Sequence, residues 1–126
     1  MNFAKRLYLI AGIYGLVVLV PQFFNEAKTG RDFPPAITHP EFYYGFVGVA
    51  VAWQVLFLIV AKDPVRYRPM MIPAVLAKAS FGLAVLVLYL QQRVSTLVLC
   101  LATVDLILGA LFVAAYIKTK PASPPN

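Results

Sequence analysis

Two ionisable residues stand inside long runs of hydrocarbon side chains: Lys78, within residues 71–90, and Asp105, within residues 95–117. An ammonium and a carboxylate in such surroundings can form an ion pair or share one proton, and either state suits acid–base work on a buried ligand. Gln54 and Trp53 in another apolar run, and Tyr14 in the first, add an amide, an indole and a phenol. A bare charge near the centre of a membrane helix costs about 2.5–3.5 kcal/mol on insertion scales, so Lys78 and Asp105 need a partner, a hydrated cavity, or a route for the lysine to the surface. At about 1.5 Å per residue, Lys78 lies about 9 Å and Asp105 about 18 Å from the same end of the bundle, with Gln54 and Tyr14 at about 10 Å. Lys78, Asp105, Gln54, Trp53 and Tyr14 are therefore the candidate ligand-binding cluster, around a pocket facing the cytoplasm. An inward Lys78 paired with Asp105 is the expected arrangement. The alternative for the same residues is a polar network that holds the helices together and binds nothing.

The elements that carry these residues are set by length. A hydrocarbon core of about 30 Å needs about 20 apolar residues in a helix. Four runs meet or approach that length, and the spans are expected at about 6–24, 42–61, 71–91 and 95–117. The fold class is all-α: a polytopic membrane protein, a four-transmembrane-helix up-down bundle occupying residues 1–120 as one domain, with a short disordered tail at 121–126. Composition agrees, since 61% of residues are hydrophobic, 13% are charged and the mean hydropathy is +0.79, far from a water-soluble domain. The formal net charge of +6 does not point to nucleic acid, because Lys and Arg gather at helix ends. Lys5, Arg6, Lys62, Arg66, Arg68, Lys118 and Lys120 fall on one side, against Lys28, Arg31 and Arg93 on the other. The positive-inside rule places both termini in the cytoplasm, in a bacterial inner membrane. The first run is expected to stay attached, since Pro21-Gln22-Phe23-Phe24 offers no small-residue cleavage site.

Small residues suggest which faces meet. Lys78 lies between Ala74 and Gly82, Asp105 between Ala102 and Gly109, and Gly12 with Gly15 and Gly45 with Gly48 and Ala52 make stripes on the first two spans. Such stripes allow close helix contact in a membrane. Phe23, Phe24, Phe42, Tyr43, Tyr44 and Tyr89 are expected at one interface and Tyr8, Tyr67 and Tyr116 at the other. The loop 25–38, with Gly30, Pro34 and Pro35, reads as irregular. Thr38 to Glu41 has capping-box spacing, with Thr38 as N-cap, His39 at the first helical position, and Ile37 against Phe42 as a staple. Asp63 before Pro64 is expected to cap a turn in a basic connector whose Arg66 and Arg68 face lipid phosphates.

Several chemistries find no residues. Cys100 is the one cysteine and reads as structural, and His39 is the one histidine, outside the spans and without ligand spacing around it. No metal site, haem site, phosphate loop or nucleophile–base set is expected, no catalytic residue is assigned, and no cofactor is implied by the residues themselves.

The four short-looped spans, the basic residue in the third, the Asp in the last and the segment from Tyr44 to Gln54 resemble the small four-helix membrane proteins grouped as DoxX-like. The segments Pro34 to Glu41 and Asp63 to Pro69 are similar to those of small bacterial membrane proteins of this size. The resemblance covers most of the chain, and it implies an accessory role in an inner-membrane complex, redox or quinone linked, but transfers no site residue. Two functions follow as expectations: an accessory or structural subunit of a larger complex or homo-oligomer, and a small-molecule or lipid-binding protein, carrier or isomerase-like, built on Lys78 and Asp105.

Overall fold

The computed structural model describes residues 2–120, and the expected tail at 121–126 lies outside the described residues. The chain forms α1 (Asn2–Leu19), a 3-10 turn at Val20–Phe24, the short α2 (Glu26–Asp32), α3 (Pro40–Lys62), a 3-10 turn at Arg68–Met70, α4 (Met71–Leu90) and α5 (Thr96–Lys118). The four long helices are each long and apolar enough to cross a membrane. No strand occurs among the described residues, as a hydrocarbon solvent requires of an open chain, since a helix satisfies its own backbone polar groups.

Each helix end has a local cause. Pro21 removes an N–H and tightens the end of α1 into the 3-10 turn. Asp63 Oδ1 accepts from Arg66 N at 3.3 Å, the expected cap of the connector. Ser95 Oγ accepts from Val98 N and opens α5. Between α4 and α5, Arg93 N donates to Leu88 O and Gln92 N to Tyr89 O, both at 2.9 Å, with Gln92 in the left-handed region at φ 60°. That pattern closes a helix C-terminus with two reversed bonds and leaves room for the short loop.

Two local expectations are corrected. Helix α3 is capped by His39, not Thr38, with no side-chain cap bond. Proline favours the first helical position, so Pro40 moves the start one residue on. Glu41 instead lies 3.0 Å from His39 Nδ1, whose ring stacks on Phe42. The loop at 25–38 is not wholly irregular either, because α2 forms within it. Glu26 in its first turn and Arg31 in its last suit the helix dipole, and Lys28 Nζ reaches Asp32 at 3.1 Å one turn away.

Helices α1 and α3 pack as one antiparallel pair and α4 and α5 as another. The pairs join tightly at the end that carries the start of α1, the end of α5 and the α3–α4 connector. There Tyr8, Phe57 and Phe112, all at most 1% exposed, form an aromatic centre with Tyr8 stacked on Phe112 at 4.2 Å. Ala11, Val60, Met71, Ala74 and Ala115 complete this core. Tyr8 is therefore a core ring and not an interfacial one, because it shares with Ala4 and Leu7 the one face of the first turns of α1 that is buried. Its hydroxyl finds no partner among the described residues. Arg68, expected on lipid phosphates, donates from Nε to Tyr116 O at 2.9 Å and lies over the Tyr116 ring at 3.7 Å. It ties the connector to the end of α5. Lys118 sits 4.4 Å from the centre of the Phe3 ring and ties α5 to α1. Toward the α2 end the two pairs diverge, and the space between them is the candidate site.

Candidate functional site

Lys78 Nζ donates to Asp105 Oδ1 at 3.2 Å, so the expected ion pair forms between α4 and α5. The glycines make it possible. A Cβ on Gly109 would stand 3.2 Å from Lys78 Cβ, and one on Gly82 would stand 2.5 Å from Leu106 Cδ2, so these two helices approach at the level of the pair because both positions lack a side chain. The Lys78 side chain is 9% exposed and that of Asp105 is 22%. Lys78 Nζ also lies 5.4 Å from the centre of the Phe57 ring, at the upper margin of the aromatic core. Lysine thus turns inward rather than snorkelling. Thr103, the other group close in sequence to Asp105, donates its hydroxyl to Leu99 O at 2.8 Å within α5 and does not serve the carboxylate.

Above the pair is a cavity of about 340 Å³. Tyr14 of α1, Gln54 of α3, Lys78 of α4 and Asp105 of α5 all line it, one polar residue from each spanning helix. Phe46, Val47, Phe81 and Leu101 supply apolar walls. The volume is at the small end of the range for ligand sites, about 300–1,000 Å³, and apolar walls with a few convergent polar groups are their usual lining.

Gln54 is 4% exposed. Its Nε2 donates to Ala50 O at 2.9 Å, and its Oε1 has no partner among the described residues. The amide fills the notch left by Gly15, where a Cβ would collide with Gln54 Oε1. Gly12 likewise meets Leu58 and the Gln54 carbonyl, so the α1 stripe is a true packing face. The α3 stripe is not. A Cβ on Gly45 or Gly48 would meet nothing within 4 Å, and Ala52 is exposed. These residues face away from α1 because Gln54 and Phe57 already occupy the buried side of α3.

Two placements differ from expectation. The cavity lies in the α2 half of the bundle and not at the basic end, because the aromatic core plugs that end. Trp53 does not reach the cavity. It lines a separate, open cleft of about 1050 Å³ between α3 and α4, and borders the aromatic core. Cys100 is exposed on α5, outside the core. Among the described residues no three His, Cys, Asp or Glu side chains come together as a metal site.

Sequence reasoning missed the cavity's far wall. Tyr43 donates its hydroxyl to Gln22 O at 2.6 Å, and Thr29 donates to Gln22 Oε1 at 3.2 Å. These three, with Phe33, line the cavity beneath α2. The only available signal was Gln22, a polar residue at the end of an apolar run; Tyr43 reads as an ordinary interfacial ring until α2 is known to fold over it.

No protein-family model, curated protein or solved structure matches the chain, and the site is read from its own geometry. The four long apolar helices define a small multi-pass membrane protein with a polar centre between its helices.

Proposed function

We propose that this protein binds a small molecule inside the membrane, in the cavity over Lys78 and Asp105. The observation that carries the reading is the convergence of Tyr14, Gln54, Lys78 and Asp105 from four helices on one cavity. A pair needed only to hold α4 to α5 has no use for a cavity beside it, and close packing would be the default for a purely structural contact. Lys78 has three N–H donors and gives one to Asp105 Oδ1. The others suit an oxygen on a ligand. The positive-inside rule puts the basic end in the cytoplasm of a bacterial inner membrane, so the cavity runs from the polar pair deep in the bilayer toward the outer face.

Native mass spectrometry of protein released from native-lipid particles tests this reading. A bound small molecule is expected on the wild type and is expected to be lost from the paired variant Lys78→Met/Asp105→Leu, which removes both charges together. Each protein appearing at its own apo mass, with no small molecule retained by the wild type, would overturn it.

A second reading, an accessory subunit beside a larger membrane protein, draws on the open α3 face at Gly45, Gly48 and Ala52. Native gels of gently extracted membranes test it. A stoichiometric large partner is its expected result, and migration of the chain alone would count against it.

A further inference from the structure

The cavity and the α3–α4 cleft share four residues: Phe46, Gln54, Lys78 and Phe81. They are two rooms with one wall. Lys78 and Gln54 form its polar base, and Phe46 and Phe81, with ring centres 6.3 Å apart, form the rest. The walls differ in how firmly they are held. Beneath α2 the cavity is bounded by hydrogen bonds among Tyr43, Thr29 and Gln22, which would have to break for that wall to open. Toward the cleft the wall is a contact of two rings. Phe46 is 55% exposed, and an exposed side chain changes rotamer on the picosecond-to-nanosecond scale. Helices α3 and α4 do not pack tightly beside it, as the open cleft and Gly45 on its wall show.

Charge narrows the occupant. Lys78 and Asp105 cancel, so the cavity offers no net charge to repay the desolvation of an ionic head group. It does offer N–H donors on Lys78 and carboxylate oxygen on Asp105, enough for a hydroxyl or carbonyl. We infer that the α3–α4 cleft is a lateral portal, through which an uncharged amphiphile with a hydroxyl or carbonyl head passes from the bilayer, between Phe46 and Phe81, to the Lys78–Asp105 cavity. The inference rests on the ligand-binding reading above but adds the route and the class of ligand.

Thiol labelling in lipid nanodiscs tests the route. Two single-cysteine proteins are compared: the wild type, whose Cys100 is exposed on α5, and Cys100→Ser/Val18→Cys, with its thiol on the cavity wall. The probes are N-dodecylmaleimide, which dissolves in the bilayer, and a sulfonated maleimide confined to water. N-dodecylmaleimide is expected to label both thiols, the sulfonated reagent to leave the cavity thiol unlabelled. Filling the cleft with Gly45→Leu/Ala77→Leu is expected to slow cavity labelling about tenfold, with Cys100 unchanged. Phe81→Ala is expected to speed it, which separates a route from a folding defect. If the filled cleft leaves the cavity rate unchanged, or the water-confined reagent labels the cavity first, the portal is overturned and the binding site stands. If neither reagent reaches the cavity thiol, the portal and the binding site both fall.

Discussion

The two halves of the bundle are made from the same four helices, yet one is packed and the other is open. At the basic end Tyr8, Phe57 and Phe112 stack with Val60, Met71 and Ala74 into a continuous core. In the α2 half, Val47, Gln54, Lys78 and Val85 are buried, but a cavity takes the place of a core. In a bilayer, apolar packing against a neighbour helix gains little over packing against lipid, so shape decides where helices join. Large rings fill the gap between the helix pairs at one end. Nothing of that size fills it at the other, and an ion pair with its glycines holds α4 to α5 there.

The sharpest way to break this comparison is to leave one charge alone. Asp105→Leu leaves Lys78 buried without its partner and is expected to cost about 3 kcal/mol, the low end for one member of a buried pair because Asp105 is partly exposed. Lys78→Met/Asp105→Leu is expected to regain most of that, since a neutral pair of similar bulk needs no compensation. Reversible unfolding in bicelles, by steric trapping, measures both. A single variant as stable as the wild type would mean that water reaches Lys78 and that the α2 half is wet.

Next in size is the aromatic core. Phe112→Ala is expected to cost about 2 kcal/mol, below the roughly 3–5 kcal/mol of a water-soluble core because transfer of the ring to lipid is nearly free. Leu101→Ala, on the cavity wall and 40% exposed, is expected to cost less than about 0.5 kcal/mol by the same assay. Equal losses at the two sites would erase the distinction between the halves. A smaller effect is expected at the α1–α3 contact: Gly15→Ala forces Gln54 out of its notch and is expected to cost about 1 kcal/mol, the mild end of overpacking because the amide can swing aside. Loss of the bound small molecule would accompany it, read in the same native spectra.

The helices and the pair were legible in the amino-acid sequence, and the cavity was not. Span lengths follow from apolar runs that have one structural solution in lipid. Lys78 and Asp105 declare their facing because Ala74, Gly82, Ala102 and Gly109 at one-turn spacing leave room only on that side. The volume above them is set by how far the α1–α3 pair stands from the α4–α5 pair, which no residue encodes alone. Gly45 and Gly48 look like a packing stripe for the same reason that Gly12 and Gly15 do, and only the partner across the gap tells them apart. Tyr8 was misplaced because a tyrosine near a span's end suits an interface equally well. Thr38 lost the cap to His39 because Pro40 takes the first helical position, a signal that was present and outweighed the capping-box spacing.

The smallest effect is expected on the open face of α3, and it is the most informative about what fills the cleft. Gly45→Leu adds a side chain where no atom lies within 4 Å, and it exchanges glycine for a good helix former in the interior of α3, worth up to about 1 kcal/mol in a helix exposed to water. In an otherwise empty, lipid-filled cleft the substitution is therefore expected to be neutral or to stabilise by about 0.5 kcal/mol. If another protein's helix is seated against Gly45 in the native membrane, the outcome reverses, because leucine would hold the two backbones apart. Stability measured on the isolated chain would still be unharmed, but the partner would be lost from native gels. The same substitution thus separates a cleft kept open for lipid-dissolved molecules from one occupied by a protein, at a position where the bundle itself has nothing to lose.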